Sequence, residues 1–577
     1  MSHENPSWMS GSASSAVELE DDEPDKKTLA KYRRCLKDMR RELPGSRLEE
    51  LKEYGMRVDG IQRAVGEFYA DFVEDADAFC ADPSKWAAEL QTNGRAEAAN
   101  ARLEEITRQL DQTWADVEEE DDEIVAWILN GKNVFLAEAT LNFLNPLSRI
   151  LQGDSSNRSQ AEDFFRRYGQ AAFAERAEPA VSYSCQESEP GRMEPFLGWA
   201  QAHLQAYPKW LRLGIEQVAL CEKLDSLDKD VESVTGEYEK DKRRVKLSAL
   251  ASAVVTDHEA GHVLNLDPAN LNKLDTRLRA LFVEAVLAEE ARHSLYALET
   301  YAKEGPGGGL EEDFAEAWSY FINAPEYLEG VTPKRHAAVA EITQSLKLDV
   351  ESLRQAAKKA ETERLGNAEM ARAVFEVYGY DWLINKCRLP RDTYADTRWA
   401  LPGWRQIQAS GRVTDGDDSS FALQVSRDEH GRLQKWSMGE KDPYTFKDPA
   451  YDDRGRLTSY QADGLLYFVI YGEDDLPQEV LIDTEFKGAP KTVATFRTEE
   501  GKLIQKLLTP EGHVWEFIHG FDAEGQLTEI AVALNGRPVC RRPLEKDAQG
   551  RLKSANYLTL DGKLVTASDE TKYDYKD

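Results

Sequence analysis

The first third of the chain carries apolar residues at helical spacing, which predicts amphipathic helices that bury one face. The run from residue 123 to 152 is apolar on several faces, but Asn130, Lys132 and Glu138 interrupt it. It therefore predicts a buried helix hairpin and not a membrane span. Residues 28–186 are expected to form an all-helical domain. Its clearest stripes are Leu29, Tyr32, Leu36, Met39 and Leu43; Val58, Ile61, Val65, Phe68 and Phe72; and Leu103, Ile106, Leu110 and Trp114.

A segment with Glu, Pro and Gly at residues 187–195 predicts a linker. Residues 196–400 are then expected to form a second, mainly helical domain. Its charged stretch, 222–244, predicts a solvated helix, and the apolar positions beyond Arg243 predict that the helix continues to His262. Further helices are predicted over residues 278–301, 331–346 and 350–377, with a turning glycine loop at 305–309.

The pattern changes again after an aromatic connector and a linker at residues 401–420. From 421 to 577, turns arrive about every 9 to 14 residues, as successive β-hairpins require. The unit from Tyr451 to Leu457, Y-D-D-R-G-R-L, resembles the YD repeats of Rhs-type polymorphic toxins. We expect one meandering antiparallel sheet, and a multidomain α+β chain overall. The Gly-x-Leu turns lie at Gly431, Gly455, Gly501, Gly525, Gly550 and Gly562.

Composition narrows the class of partner. The chain has 577 residues and a net charge of −33, which argues against nucleic acid or an anionic membrane as the main partner. Its 6 cysteines form no CxxC pair, so free thiols in a reducing compartment are expected. A zinc site built from cysteines is not expected.

The N-terminus, residues 1–27, is acidic and serine-rich, which predicts a disordered tail. A solvated tail is one interpretation of it, and a secretion or docking signal is the other. The sequence has neither the basic and apolar pattern of a signal peptide nor about 18 uninterrupted apolar residues. We expect a soluble chain that is cytoplasmic as synthesised and that needs a dedicated secretion system for any export.

The strongest chemical signal is the H-E-x-x-H sequence of His258, Glu259 and His262. Two histidines four residues apart on a helix face one side and can hold a zinc ion, while the glutamate between them activates a water. The pattern predicts metal-assisted hydrolysis, most often of a peptide bond.

A catalytic zinc needs a third protein ligand. Glu284 and Glu289 lie within range along the chain, and Glu312 and Glu316 form a pair of carboxylates one helical turn apart. The paired motif favours Glu312, with the other two kept as alternatives. Three further histidines are expected to be surface or capping residues: His203, His293 and His336.

The sequences H-E-A-G-H and, about fifty residues later, E-D-F-A-E-A-W resemble the gluzincin peptidases typified by the catalytic domain of anthrax lethal factor. The resemblance covers residues 248–346. It implies that His258, His262 and Glu312 bind Zn²⁺, that Glu259 is the general base, and that Glu316 orients a ligand histidine. That family also has a tyrosine shortly before the third ligand, to steady the oxyanion. The matching position here falls in the glycine loop, and Tyr301 and Tyr320 are the candidates to replace it.

The sequence thus predicts a zinc-dependent endopeptidase acting on a protein substrate. The repeats suggest a toxin-like effector or a conflict-system protease. A secretion machine or a partner protein would bind the N-terminal tail or the β-repeats. The alternative is a non-catalytic binding or scaffold protein that uses the repeat surface.

Overall fold

The structure, a computed structural model, describes residues 25–113, 123–169, 180–224, 235–266, 273–289, 291–415, 420–439, 444–473, 475–483 and 491–575. The predicted acidic tail lies almost wholly outside these residues, as does Trp114. The described chain divides into two compact units. The motif unit contains the described residues up to Gln186 together with Leu197–Glu361, and the barrel unit contains Glu187–Phe196 and the described part of Thr362–Asp577. The segment predicted as a separate helical domain thus shares a unit with the H-E-x-x-H sequence, and the unit ends at Glu361 instead of residue 400.

The N-terminal part of the motif unit is helical, as predicted, and the predicted stripes supply its core. Tyr32, Met39, Val58 and Phe68 are each at most 2% exposed. The hairpin expected over residues 123–152 is a run of short helices that breaks at Gly131, where φ is +75°. The helices are α1 Lys26–Glu42, α2 Gly45–Phe72, α3 Ala76–Ala81, α4 Pro83–Thr92, α5 Ala96–Thr113, α6 Glu123–Leu129, α7 Lys132–Glu138, α8 Asn145–Leu151 and α9 Arg158–Phe164, with π-helical turns at Ala139–Leu144 and Phe165–Gly169.

A four-stranded sheet follows, and the sequence did not predict it. Strands β1 (Ser182–Gln186), β2 (Gln217–Cys221) and β4 (Arg244–Ser248) are parallel, and β3 (Gly236–Glu239) is an antiparallel edge strand beside β4. The prediction of a helix that runs from Arg243 to the motif is therefore wrong. Val245 and Leu247 alternate with polar residues, so β4 buries one face, which is the period of a strand.

The solvated helix predicted over residues 222–244 is also wrong in the part that the structure describes. That part holds β3, a 3₁₀ turn at Lys240–Lys242 and the start of β4. At Arg243 the backbone adopts φ of +44°, a left-handed conformation that ends the turn before β4 begins.

The remaining helices before Gly366, most of them in the motif unit, differ from the prediction at three places. The helix expected over 278–301 is two helices, one ending at Leu287 and the next starting at Leu295, and the helix expected over 350–377 breaks at Gly366. The predicted glycine loop is the first turn of a helix, with Pro306 at its start. These helices are α10 Glu194–Leu204, α11 Lys209–Arg212, α12 Ala253–Leu266, α13 Thr276–Leu287, α14 Leu295–Glu304, α15 Pro306–Asn323, α16 Pro325–Val331, α17 Pro333–Ser345 and α18 Val350–Leu365.

None of the helices in the described ranges combines the length and the apolar character that crossing a bilayer requires.

The barrel unit confirms the predicted antiparallel β-meander but closes it. Each strand pairs with the next, and β18 returns to pair with β5, so fourteen strands form a closed barrel instead of an open sheet. The strands are β5 Gly411–Asp415, β6 Ser420–Arg427, β7 Leu433–Met438, β8 Tyr444–Tyr451, β9 Leu457–Ala462, β10 Leu465–Tyr471, β11 Pro477–Ile482, β12 Lys491–Glu499, β13 Lys502–Leu508, β14 Val514–Phe521, β15 Leu527–Leu534, β16 Arg537–Lys546, β17 Leu552–Ala555 and β18 Thr571–Asp574.

The aromatic connector before the barrel packs against the inner faces of its strands. Tyr394 stacks on Phe517 with ring centroids 3.8 Å apart, and the carboxylate of Asp396 accepts hydrogen bonds from the hydroxyls of Tyr444 and Tyr467. The connector thus supplies core to the barrel, which explains its aromatic composition. Its helices are α19 Ala368–Tyr378, α20 Tyr380–Cys387, α21 Arg391–Thr397 and α22 Pro402–Gln406, with a 3₁₀ turn at Arg398–Ala400.

The YD-like units share one turn geometry. In the unit at Asp452, Oδ1 accepts from the backbone N–H groups of Arg454 and Arg456, and Oδ2 accepts from Nε of Arg456. The same arginine lies over the ring of Tyr471, 4.7 Å from its centroid, and so joins one unit to the next. The units at Asp428 and Asp547 repeat the arrangement, and the arginine of the last one lies over Tyr575.

His519 on β14 makes the barrel sensitive to acid. Burial lowers its pKa to about 3, because both ring nitrogens are buried without a hydrogen-bond partner in the described chain. As the pH falls, His519 is therefore protonated in the unfolded chain before it is protonated in the folded chain. The stability that neutral His519 contributes is fully present above pH 6.5 and decreases as the pH drops toward 3. Between pH 6.5 and 5 the loss should be about 2 kcal/mol.

A His519→Phe variant should lose less stability than the wild type on that change of pH, by about the same amount. Urea unfolding at pH 7.5 and 5.0 measures the free energy of unfolding of both proteins. Hydrogen exchange in β13–β15 makes the same comparison locally. His430→Phe, at an exposed turn, is the control and should follow the wild type. Equal pH dependence in His519→Phe and wild type would contradict the assignment.

Candidate metal centre

Two helices carry the predicted ligands, and they pack in unusually close contact. Ser252 caps α12 by accepting a hydrogen bond from the backbone N–H of Val255. At Gly261, in the middle of the motif, a Cβ atom would lie 2.9 Å from Cα of Ala315 on α15. The glycine thus allows the two backbones to approach, and this approach brings Glu312 to the face that carries His258 and His262.

The three side chains converge on one point. Nε2 of His258 lies 3.0 Å from Nε2 of His262, and Oε2 of Glu312 lies 3.2 Å from the first nitrogen and 3.4 Å from the second. They are a group of histidine and carboxylate side chains whose ligand atoms could share a cation. Glu316 is not part of that group, but it stands next to it.

The arrangement fits a tetrahedral zinc ion on geometric and chemical grounds. Ligand atoms about 2.0–2.1 Å from a tetrahedral zinc lie about 3.3 Å from one another, close to the distances between these three atoms. Oε2 of Glu312 is buried and accepts no well-aligned hydrogen bond from a described residue, although both nitrogens are near. Two imidazoles and a carboxylate are also ligands that zinc accepts.

Glu316 holds the far side of one ligand ring. Its Oε1 lies 2.9 Å from Nδ1 of His258, which leaves Nε2 of that ring for the shared point. Burial opposes a charge on His258, but the contacts with Glu312 and Glu316 outweigh it and raise the pKa of His258 well above its usual value. Burial would also raise the pKa of Glu312, yet the charge of His262 and the contact with His258 hold it well below its usual range.

Glu259 lies beside this point but does not join it. It is 3% exposed, and Cα of Gly236 on β3 packs against it so closely that a Cβ there would lie 2.5 Å from Oε1. Burial raises the pKa of Glu259 to about 7, against the opposing charges of His258 and His262. A carboxyl group with such a pKa can both take up and release a proton near neutral pH.

Tyr296 is the functional candidate that the sequence missed. Its ring centroid lies 6.2 Å from that of His258, and the residue is 52% exposed. Partial burial of the phenol, together with the charges of Glu312 and Glu259, raises the pKa of Tyr296, so its hydroxyl stays a hydrogen-bond donor near neutral pH. The sequence does show this tyrosine sixteen residues before Glu312. It was overlooked because one continuous helix was wrongly predicted over residues 278–301.

The two tyrosines proposed from sequence point elsewhere. Tyr301 is buried and donates a hydrogen bond to Oδ2 of Asp313, 3.1 Å away. Tyr320 packs its ring against His293 and Tyr327, at centroid distances of 5.7 and 5.3 Å.

The alternative third ligands are engaged at other places. Glu284 binds Nζ of Lys52, and Glu289 binds Arg335. Neither joins the histidine pair in the described structure.

The other histidines are not ligands of this group, but two of them are not at the surface as predicted. His203 and His293 are buried, whereas His336 is half-buried against Phe321. The prediction was for surface or capping positions. His203 lies in the last turn of α10 and is buried against Asp257, and His293 is buried against Tyr320; both contacts join residues distant in sequence.

A buried polar cluster anchors the helix behind the motif. Oδ1 of Asp257 lies 2.7 Å from Nε2 of His203 and accepts a hydrogen bond from the hydroxyl of Tyr207, at 2.6 Å. Its Oδ2 accepts from Nδ2 of Asn323 at the end of α15, at 2.8 Å. Burial opposes a charge on His203, but the charge of Asp257 and the contact with it outweigh burial and raise the pKa of His203. The cluster ties α12 to α15 from the side opposite the ligands.

Because Gly261 sets the spacing of the two helices that carry the candidate ligands, Gly261→Ala should disturb the candidate metal site. The added methyl must displace backbone at Ala315, which should cost about 1–3 kcal/mol of stability. Zinc affinity should fall by about tenfold or more as Glu312 moves away from the histidines. Competition with a chromophoric chelator measures the affinity.

Gly66→Ala is the matched control, since it lies inside α2 with nothing within 4 Å of the added methyl. It should leave zinc affinity unchanged and stabilise the helix by up to about 1 kcal/mol. Unchanged affinity in Gly261→Ala would refute the spacing role.

Searches of the chain against protein-family models and against curated proteins gave no match.

Proposed function

We propose that the chain is a zinc-dependent endopeptidase that hydrolyses a protein substrate. The observation that carries the proposal is the convergence of His258, His262 and Glu312 with their ligand atoms 3.0–3.4 Å apart, next to the buried carboxyl group of Glu259. The resemblance of the same residues to the gluzincin pattern supports it from the sequence.

In this proposal each residue has a separate task. His258, His262 and Glu312 hold the zinc ion, which when bound supplies the Lewis acidity that makes water a nucleophile near neutral pH. Glu259 accepts a proton from the water as its oxygen attacks the peptide carbonyl carbon. Tyr296 donates a hydrogen bond to the oxygen that becomes negative. Glu259 then gives the proton to the nitrogen of the leaving amine as the C–N bond breaks.

Strand β3 supports a peptide as the substrate. Among the described residues it pairs with β4 on one side only, and Gly236 brings its backbone against Glu259. An extended peptide that added to this edge would gain main-chain hydrogen bonds, a common mode of peptide recognition. Its scissile bond would then pass beside the general base.

Terminal-amine mass spectrometry on a mixed cell proteome tests the proposal. Zinc-loaded wild-type protein should create new amino termini that are absent with Glu259→Ala and after treatment with a zinc chelator. Identical peptide profiles for the wild type and Glu259→Ala would refute the peptidase function. Because the repeats resemble those of polymorphic toxins, we further propose a toxin-like effector or a conflict-system protease. The cell whose proteins are cleaved would then be the target cell.

A further inference from the structure

Tyr296 follows a non-helical segment between α13 and α14, of which the structure describes residues 288–289 and 291–294. It lies in the first turn of α14, which Ser294 caps by accepting a hydrogen bond from the backbone N–H of Ala297 at 3.3 Å. The described residues before it, 288–289 and 291–293, are not part of a helix. Something outside the segment must therefore fix it.

Two side chains from α16 and α17 fix the segment. The carboxylate of Glu289 accepts from the backbone N–H of Lys334 at 2.6 Å and lies 3.3 Å from Nη1 of Arg335. The same Nη1 donates to the carbonyl of Ala291 at 3.2 Å. The hydroxyl of Tyr327 donates to the carbonyl of His293, also at 3.2 Å. The backbone is thus held at points three and five residues before Tyr296.

The same arginine also reaches the helix that carries Glu312. Nη2 and Nε of Arg335 lie 2.9 and 3.2 Å from Oδ2 of Asp313, the residue after Glu312. Arg335 is 1% exposed and Asp313 is 1% exposed, so the ion pair is fully buried. A planar guanidinium offers several donors in fixed directions, and it can therefore set the distance between two segments as well as their attraction.

We propose that Glu289, Asp313, Tyr327 and Arg335, here called the clasp, position Tyr296 over the metal centre relative to Glu312. Tyr327 and Arg335 are positioning residues, since neither touches the ligand atoms. The inference rests on the proposed function, because it assigns the hydroxyl of Tyr296 to the reaction. A buried ion pair contributes little net stability, because the desolvation of both charges offsets their attraction. Fixing the geometry therefore explains the clasp better than stabilising the fold does.

Kinetics of Tyr327→Phe, Tyr296→Phe and the double variant test the clasp. Tyr296→Phe should lower kcat about 100-fold with zinc content unchanged. Tyr327→Phe removes one hydrogen bond and should lower kcat about tenfold through misplacement of Tyr296. In the Tyr296→Phe background it should change nothing further. A tenfold effect in both backgrounds would overturn the positioning role.

A second readout does not need activity. With 3-fluorotyrosine placed at position 296, the fluorine resonance of the zinc-free protein should shift or broaden in Tyr327→Phe. Tyr54→Phe, which loses a comparable hydrogen bond to Asn133 at 2.6 Å, should leave the resonance unchanged. An unchanged resonance in Tyr327→Phe would overturn the clasp. A wild-type protein that cleaves nothing, together with a shifted resonance, would instead reject the proposed function and retain the clasp.

Discussion

Glu259→Gln should reduce peptide hydrolysis by about 10²–10⁴-fold while the protein keeps its zinc. Glutamine has nearly the same shape as glutamate, so the packing against Gly236 on β3 should persist. It cannot take a proton from water, however, and the attack on the carbonyl loses its base. The loss should appear in kcat, because substrate binding to the edge strand does not use the carboxylate.

The control for this variant is Glu316→Gln, a carboxylate in contact with His258 but not in line for proton transfer. It should weaken zinc binding about 10–100-fold and retain most activity when zinc is in excess. Steady-state kinetics on the same peptide, at saturating zinc, separate the two. Full activity of Glu259→Gln would exclude it as the base.

His262→Ala should weaken zinc binding more than about 100-fold, since losing a ligand costs more than losing a residue that only orients one. The remaining His258 and Glu312 offer two ligands where a catalytic site uses three. The measurement is zinc retained after dialysis against a weak chelator. His258→Ala and Glu312→Ala should behave in the same way.

His336→Ala is the matched control, because that ring packs on Phe321 and takes no part in the group of ligand atoms. It should retain zinc as the wild type does. Retention of zinc by His262→Ala, or equal loss from His336→Ala, would show that the ion is held elsewhere.

His258, His262 and Glu312 could be predicted as a group from the sequence, because the spacing within each pair of side chains is local. Four residues separate His258 from His262 on one helix, and four separate Glu312 from Glu316, so helical periodicity alone places each pair on one face. The approach of the two helices is not local. It depends on the contact of Gly261 with Ala315, which the sequence did not predict; Glu312 was chosen from its pairing with Glu316 and from the resemblance to gluzincins.

Tyr296 was missed for a physical reason. Residues 288–294, A-E-E-A-R-H-S, contain no glycine or proline to mark a break, and a single helix was predicted there. The carboxylate of Glu289 instead binds Lys334 and Arg335, and Ser294 starts a new helix. Contacts between residues more than forty positions apart overrode the local pattern, and they changed which tyrosine faces the histidines.

In the barrel, too, features set by neighbouring residues could be predicted, whereas contacts between distant residues could not. Turn residues such as Gly455, with φ of +75°, correctly predicted successive hairpins. Closure needs β18 to pair with β5, whose residues lie about 160 positions earlier, and turn spacing does not predict that pairing. The packing of Tyr394 and Asp396 against the inner faces of the strands was equally beyond a local pattern.

Anomalous diffraction from a crystal of the zinc-loaded protein tests the metal centre most directly. We expect one zinc peak about 2.0–2.2 Å from Nε2 of His258, Nε2 of His262 and a carboxylate oxygen of Glu312. No peak at these three atoms, or a zinc peak held by other residues, would contradict this prediction.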